Sequence, residues 1–137
     1  MQNSTIDECK LINLDNGHDY INGQYSLFNN LNIPFEIKRV YYLYNVPIGA
    51  ERGGHGHKEL EQFIVAVKGS FDIIVNDSKK TKTIKLSSPS IGLLMPSGIW
   101  RELNNFTPGT ICLVLASDIY REDDYFRDYK DYIEWKF

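Results

Sequence analysis

Short apolar segments separated by turn residues fill the second half of the chain. Each segment is only a few residues long and rich in branched or aromatic side chains, and the breaks between them contain Gly, Pro, Asn or Asp. Short strands at this spacing are typical of antiparallel sandwiches and barrels. The predicted strands are 62–67, 70–75, 81–86, 91–95, 99–103 and 110–117. The sequence therefore predicts an all-β fold.

The flanking segments add further strands and one helix. Strands are predicted at 5–15, 24–29 and 35–44. The first of them ends at Asp15-Asn16-Gly17, a turn-prone run, and His18 in the following loop is interpreted as a surface histidine. From Glu122 onward, acidic residues precede aromatic residues at helical spacing, which predicts a C-terminal helix. We expect this helix to pack its aromatic side on the sheets or on a partner subunit.

Length and charge limit the class of protein. The 137 residues are enough for one domain with its own core, and a net charge of -3 gives no basic field for nucleic acid. No apolar run is long enough to cross a bilayer, and the N-terminus lacks the features of a signal peptide, so a cytoplasmic location without membrane contact is expected. Cys9 and Cys112 are interpreted as reduced, buried thiols.

A histidine pair marks the candidate site. His55 and His57 are two residues apart, so in an extended segment both imidazoles point to the same face. Arg52 and Lys58 flank the pair and suit an anionic ligand. The alternative is a polar turn with exposed histidines, for which the flanking charges are solvated. The clustering of these residues favours a site.

The segment 35–44 carries a cation on an apolar face. With a period of two, Arg39 and Tyr41 share one face with Phe35, Ile37 and Leu43. Such an arginine either extends to solvent at the rim of a sheet or contacts a ligand inside a cavity. The sequence leaves both alternatives open.

Two spaced signatures resemble those of the cupin superfamily. They are His55-x-His57-x-x-x-Glu61 and Gly92-x-x-x-Pro96-x-Gly98-x-x-Arg101-x-x-x-Asn105. The resemblance spans about residues 39–117 and implies a small antiparallel jelly-roll barrel with its site in the barrel mouth. With the chain length and the predicted short C-terminal helix, the expected architecture is a single domain over 1–137.

Metal-binding cupins carry a further histidine in the second signature, where this chain has Arg101. A guanidinium has no lone pair to donate to a metal and stays protonated. Two histidines and a carboxylate could still form a facial triad, but a site without metal is favoured. Proton transfer is then the natural role for the pair, because imidazole titrates near neutral pH.

Three motifs in order give a more specific resemblance, to the dTDP-sugar 3,4-ketoisomerases, the WxcM-like cupins. The motifs are Asn32-Ile33-Pro34-Phe35-x-Ile37-Lys38-Arg39-Val40-Tyr41-Tyr42, Arg52-Gly53-x-His55-x-His57-Lys58-x-Leu60-Glu61-Gln62 and Leu115-Ala116-Ser117-Asp118-x-Tyr120-x-x-x-Asp124-Tyr125. The resemblance implies conversion of dTDP-4-keto-6-deoxyglucose to a dTDP-3-keto-6-deoxyhexose without any cofactor. It further implies a homodimer that serves the synthesis of 3-amino-3,6-dideoxy sugars for lipopolysaccharide or other surface glycans.

The same resemblance implies roles for individual residues. His55 is the base that removes the C3 proton, His57 orients the sugar or shuttles a proton, and Tyr41 is a donor to the oxyanion. The implied substrate-binding residues are Arg39, Arg52, Lys58, Arg101 and Trp100. Of these, Trp100 would stack on thymine, although a core position is the favoured interpretation.

Arg101 bears on the stereochemistry of the product. Family members differ at this position, and arginine resembles the members that give the glucose configuration at C4. The partner position in the N-terminal segment aligns with Tyr20 or Ile21. The alternatives to a ketoisomerase are a dTDP-sugar 3,5-epimerase, a metal-dependent cupin and a non-catalytic cupin that binds sugar nucleotides.

Overall fold

The structure is a computed structural model that describes residues 2–19 and 22–136. Its strands are β1 Lys10–Asn13, β2 Asp15–Asp19, β3 Gly23–Leu27, β4 Arg39–Leu43, β5 Arg52–His57, β6 Gln62–Lys68, β7 Phe71–Asn76, β8 Thr81–Leu86, β9 Ile91–Met95, β10 Trp100–Asn104, β11 Ile111–Ala116 and β12 Tyr125–Phe126. The helix α1 spans Tyr129–Lys136, and 3-10 turns span Ile6–Glu8 and Glu122–Asp124. No helix in the described ranges is long and apolar enough to cross a membrane.

Two five-stranded antiparallel sheets face each other. Their strand orders are β1-β9-β6-β11-β4 and β12-β5-β10-β7-β8, and β2 and β3 form a separate hairpin. The core between the sheets contains Ile64, Phe71, Leu93 and Cys112, all less than 3% exposed. The predicted all-β jelly-roll architecture with a short C-terminal helix is confirmed.

Strand β4 shows the predicted alternation over a shorter length. Arg39, Tyr41 and Leu43 are partly buried, whereas Val40 and Tyr42 are exposed. Only the second half of the predicted strand 35–44 pairs with β11. The prediction of buried thiols is also confirmed, since both cysteines are free and buried.

The turn predicted at Asp15-Asn16-Gly17 is wrong. These residues and His18 belong to β2, which pairs with β3 in register. Cross-strand pairing overrides the local turn preference of Asp, Asn and Gly here, because strand propensity depends strongly on the neighbouring strand.

The C-terminal helix begins later than predicted. Glu122–Asp124 forms a 3-10 turn, and Tyr125–Phe126 pairs with β5 before α1 starts at Tyr129. The acidic residues therefore do not form the first turn of a helix. Tyr132 is fully buried and helps to fix α1 on the barrel, because its hydroxyl donates to the Gly98 carbonyl at 2.8 Å.

Gly92 is expected to be sensitive to replacement. A Cβ atom at this position in β9 would lie 2.1 Å from Cε1 of Phe63, a fully buried ring. We expect Gly92→Ala to lower the free energy of unfolding by about 3 kcal/mol or more, because the core must move to admit the methyl group. Urea unfolding measures the change. Gly54→Ala is the control, since its nearest neighbours lie at 3.9 Å, and equal stability of the two variants would contradict the prediction.

Candidate active site

The histidine pair lies on the inner face of β5. This strand pairs with β10 and β12, which places His55 opposite Arg101 and His57 opposite Tyr125. The two imidazole centroids are 4.9 Å apart and the rings are nearly perpendicular. His57 is fully buried and His55 is partly buried. The prediction that both rings share one face is confirmed, and the alternative of exposed histidines on a turn is not observed.

Asp124 orients His57. The Nδ1 atom of His57 lies 3.2 Å from Oδ2 of Asp124, whose carboxylate also accepts the backbone N–H groups of Glu59 and Leu60 at 2.8 and 3.2 Å. Because a carboxylate only accepts hydrogen bonds, Nδ1 carries the proton and Nε2 keeps its lone pair. Within the described ranges Nε2 is buried without a hydrogen-bond partner.

The environment keeps this pair as a neutral imidazole and an ionised carboxylate. Burial lowers the pKa of His57 to about 4, the hydrogen bond to Asp124 opposes this shift, and the positive charge of Arg101 adds to it. Burial alone would raise the pKa of Asp124, but the hydrogen bonds from His57 and from two backbone amides lower it overall. At neutral pH Nδ1 of His57 therefore donates to Asp124, and Nε2 is left as a hydrogen-bond acceptor.

The protein is expected to lose stability as the pH falls from about 6.5 to about 4, between the unfolded and folded pKa of His57. In this pH window His57 is protonated in the unfolded chain but stays neutral in the folded protein. The free energy of unfolding therefore falls as the pH falls. The loss is up to about 3 kcal/mol. Urea unfolding at a series of pH values measures it, with His57→Asn as the matched variant. If the free energy of unfolding depended equally on pH in the wild type and in His57→Asn, the prediction would be contradicted. Asp124 contributes only at lower pH, because its pKa lies below 3.8.

A cavity of about 80 Å³ lies inside the barrel beside His55. It brings together four of the residues predicted from the sequence, Tyr41, Arg52, His55 and Arg101. The remaining lining residues are Leu43, Gln62, Ile64, Leu103 and Val114. The apolar residues limit access of water to the polar groups, as in other ligand sites.

Arg101 is a buried cation at this cavity. It is 1% exposed, and its guanidinium donates to Oε1 of Gln62 at 2.5 Å and to the Ile99 carbonyl at 3.1 and 3.3 Å. Burial lowers its pKa to about 10, so it stays protonated at neutral pH. No ion pair found in the described part of the chain involves Arg101. The cavity therefore carries positive charge that an anionic ligand would neutralise.

Tyr41 joins the same network. Nε2 of Gln62 donates to the hydroxyl oxygen of Tyr41 at 3.3 Å. Burial raises the pKa of Tyr41, and the neighbouring phenol of Tyr125 raises it further. Tyr41 is thus a protonated hydrogen-bond donor at neutral pH.

Arg39 has a partly buried guanidinium beside two tyrosine rings. Its guanidinium lies 5.5 Å from the ring centroid of Tyr41 and 5.7 Å from that of Tyr120. Within the described ranges its Nε and Nη2 atoms are buried without a hydrogen-bond partner. Buried N–H groups of a cation are costly when left unpaired, which favours the ligand-contact alternative.

Two predicted substrate contacts lie elsewhere. Trp100 precedes Arg101 in β10 and faces the other way, where it is 6% exposed and stacks on Tyr129 with centroids 5.3 Å apart. Its position agrees with the core interpretation and not with stacking on thymine. Nζ of Lys58 lies 5.2 Å from the ring centroid of Phe126, away from the residues that line the cavity.

Asp124 and Gln62 are the site residues that sequence reasoning missed. Both lie within the motifs that resemble the family, and membership of these motifs was the sequence feature that could have identified them. Tyr20 and Ile21, the possible partners of Arg101, lie outside the described residues. Within the ranges that are described, no group of three or more His, Cys, Asp or Glu side chains could hold a metal ion.

Comparison with known proteins identifies the family. The model of the family described as FdtA, WxcM-like, C-terminal matches residues 7–136. TDP-4-oxo-6-deoxy-alpha-D-glucose-3,4-oxoisomerase from Aneurinibacillus thermoaerophilus is 39% identical over 125 residues, which cover 91% of this chain and 90% of that protein.

Solved structures agree with this match. A mutant 3,4-ketoisomerase from Thermoanaerobacterium thermosaccharolyticum, in complex with TDP-4-keto-6-deoxyglucose, is 37% identical with a TM-score of 0.91 over 95% of this chain and 94% of its own. A TDP-quinovose 3,4-ketoisomerase from Campylobacter jejuni is 43% identical, with a TM-score of 0.87 over 92% of this chain and 97% of its own.

The epimerases are more distant. A dTDP-4-dehydrorhamnose 3,5-epimerase from Bacillus anthracis str. Ames is 19% identical with a TM-score of 0.75 over 89% of this chain and 79% of its own, a likeness of fold alone. The resemblance to 3,4-ketoisomerases, and with it the isomerase class, is confirmed. The chain belongs to the FdtA family of WxcM-like proteins.

Proposed function

We propose that this protein converts dTDP-4-keto-6-deoxyglucose to a dTDP-3-keto-6-deoxyhexose. The observation that carries the proposal is the joint position of His55, Tyr41 and the buried cation Arg101 around one cavity. The names and bound ligands of the relatives support the choice of substrate.

The reaction requires a base, a stabilised oxyanion and a second protonation. The C4 ketone acidifies the C3 proton, which His55 removes, and the electron pair of the C3–H bond forms the C3–C4 double bond of an enediolate. Negative charge collects on the C4 oxygen, where Tyr41 donates a hydrogen bond. The C3 hydroxyl loses its proton, the C4 oxygen gains one, and protonation of C4 by the His55 imidazolium leaves a ketone at C3. The net change moves hydrogen without external oxidation.

The charges fit an anionic intermediate and an anionic substrate. Arg101 lies opposite His55 in the paired strands and has no carboxylate partner in the described ion pairs, so it can stabilise the enediolate at short range. A cavity of about 80 Å³ admits only part of a sugar nucleotide. We assign the hexose to this cavity, and the diphosphate to Arg52 at the cavity lining and to Arg39, which is not among the lining residues.

His57 supports the base instead of replacing it. It is fully buried and held neutral, and its Nδ1 proton is engaged by Asp124. The lone pair on Nε2 can accept a hydrogen bond from the sugar or take part in relaying a proton.

The test is proton NMR of dTDP-4-keto-6-deoxyglucose with the purified, chelator-treated protein in D₂O and an aminotransferase that traps 3-keto products. We expect a 3-amino sugar with deuterium at C4. Deuterium at C5 without a 3-amino product would indicate 3,5-epimerisation, and unchanged substrate would overturn the assignment.

The glucose configuration at C4 is part of the proposal, and so is a place ahead of amination in 3-amino-3,6-dideoxy sugar synthesis. Arg101 resembles the residue of family members with glucose-configured products, and one relative is named for TDP-quinovose. A large coupling between the ring protons at C4 and its neighbours, measured in H₂O, would support this configuration, and a small one would contradict it.

We also propose a homodimer. β4 is the edge strand of its sheet, and Val40 and Tyr42 on its outer face are 57% and 58% exposed. Tyr44, just after the strand, is 63% exposed. An apolar face on an unpaired edge is suited to a second copy of the chain. We expect sedimentation to give twice the chain mass, and Tyr42→Lys to weaken the dimer at least about tenfold through a desolvated charge. A monomeric wild type would contradict the proposal.

A further inference from the structure

A buried glutamine connects the cation of the cavity to the tyrosine. Gln62, at the start of β6, is 2% exposed. Its side chain accepts from Nη1 of Arg101 at 2.5 Å and donates to the Tyr41 hydroxyl at 3.3 Å. A buried amide needs partners for its polar atoms, and here both partners line the cavity.

The chemistry of the partners determines the direction of this chain of hydrogen bonds. A guanidinium only donates, so the atom of Gln62 that faces Arg101 must be the carbonyl Oε1. The NH₂ group then faces Tyr41 and can only donate to its oxygen. The hydroxyl proton of Tyr41 is therefore not used in this bond, and within the described ranges the hydroxyl forms no other hydrogen bond.

We propose that Gln62 is a positioning residue that turns the Tyr41 hydroxyl proton into the cavity, toward the C4 oxygen of the substrate. Arg101 fixes the amide, and the amide occupies a lone pair of the Tyr41 oxygen, so the hydroxyl is oriented before the substrate binds. The inference rests on the proposed function, in which Tyr41 donates to the enediolate. An oriented donor avoids the cost of turning the hydroxyl at the moment of reaction.

Gln62→Glu tests the direction of the bond. A carboxylate keeps the shape of the side chain and pairs with Arg101, but it accepts a hydrogen bond from Tyr41 and so turns the proton away from the cavity. We expect kcat to fall about 10²-fold, the usual effect of losing one oxyanion donor, with little change in KM. If Gln62 only anchored Arg101, the glutamate would preserve that function, and an unchanged kcat would overturn the proposal.

A double-mutant cycle separates this effect from that of the added charge. In Tyr41→Phe there is no hydroxyl to turn, so only the effect of the new charge beside Arg101 remains, and the loss of kcat caused by Gln62→Glu should be at least about tenfold smaller than in the wild-type background. A full 10²-fold loss in that background would show that the carboxylate acts directly on the substrate and would overturn the proposal. Asn76→Asp is the matched control, because its amide also donates to a tyrosine hydroxyl, that of Tyr129 at 3.0 Å, outside the cavity. It should leave kcat unchanged.

Nitrogen-resolved NMR of the ligand-free protein tests the geometry without the reaction. We expect one Nε2 proton of Gln62 to lie downfield and to move upfield in Tyr41→Phe. If both amide protons stay in place, Nε2 does not face Tyr41 and the proposal is overturned. A wild-type protein without ketoisomerase activity would instead overturn the proposed function, and with it the catalytic use of this geometry, while the amide spectrum still decides the direction of the hydrogen bond.

Discussion

Replacing His55 by asparagine is expected to lower kcat for ketoisomerisation by roughly 10²-fold or more, with nucleotide binding retained. Asparagine is close in size to histidine and still forms hydrogen bonds, but it cannot accept the C3 proton. His55 is the histidine whose ring lines the cavity, opposite Arg101 in the paired strands. Its replacement therefore removes the proposed base and leaves the cationic lining unchanged.

The measurement combines two readouts on the same preparations. Steady-state rates with dTDP-4-keto-6-deoxyglucose give kcat, and calorimetric titration with TDP gives the affinity for the nucleotide. A parallel loss in both would assign His55 to binding. An unchanged kcat would require another base, and His57 is a poor candidate because burial lowers its pKa to about 4.

Asp124→Asn is expected to reduce kcat by roughly 10²-fold through the tautomer of His57. The asparagine can place its NH₂ group against Nδ1, which must then give up its proton, and the proton moves to Nε2. The Nε2 lone pair, which is the proposed acceptor for the sugar, is lost. Stability should also fall, by about 1–3 kcal/mol, because the carboxylate accepts the buried N–H groups of Glu59 and Leu60.

Asp77→Asn supplies the matched control for this change. Asp77 is also buried and accepts backbone N–H groups from Ile6, Lys79 and Lys80, but it is remote from the cavity. We expect it to lose stability without a change in kcat. Nitrogen NMR of His57 should show the proton on Nδ1 in the wild type and on Nε2 in Asp124→Asn. If Asp124→Asn kept the kcat of the wild type, or if the tautomer of His57 did not change, the prediction would be contradicted.

The sequence predicted the parts of the fold that depend on local pattern. Alternation in β4 located Arg39 and Tyr41 on the inner face, and the spacing of His55 and His57 placed both rings together. The late start of α1 could not be predicted in this way, because Tyr125 leaves the helical pattern to pair with His57.

The partners within the site depend on contacts between distant segments. Asp124 lies 67 residues from His57, and Gln62 lies 39 residues from Arg101. Neighbouring residues in the sequence therefore do not indicate either pairing. The interpretation of the acidic run as the first turn of a helix was wrong, because Glu122–Asp124 is a 3-10 turn that carries Asp124 to His57. Only the three-dimensional arrangement shows that Arg39 has buried N–H groups without partners.

The uncompensated cations of the cavity have a thermodynamic consequence for the protein as a whole. Arg101 is buried, and no carboxylate pairs with it among the ion pairs of the described residues. Within those same residues, the Nε and Nη2 atoms of Arg39 are buried without a hydrogen-bond partner. A ligand that neutralises them binds the native state and not the unfolded chain, so it adds to the free energy of unfolding in proportion to the logarithm of its concentration. A sugar nucleotide, the proposed substrate, would thus raise the melting temperature of the protein as its concentration rises.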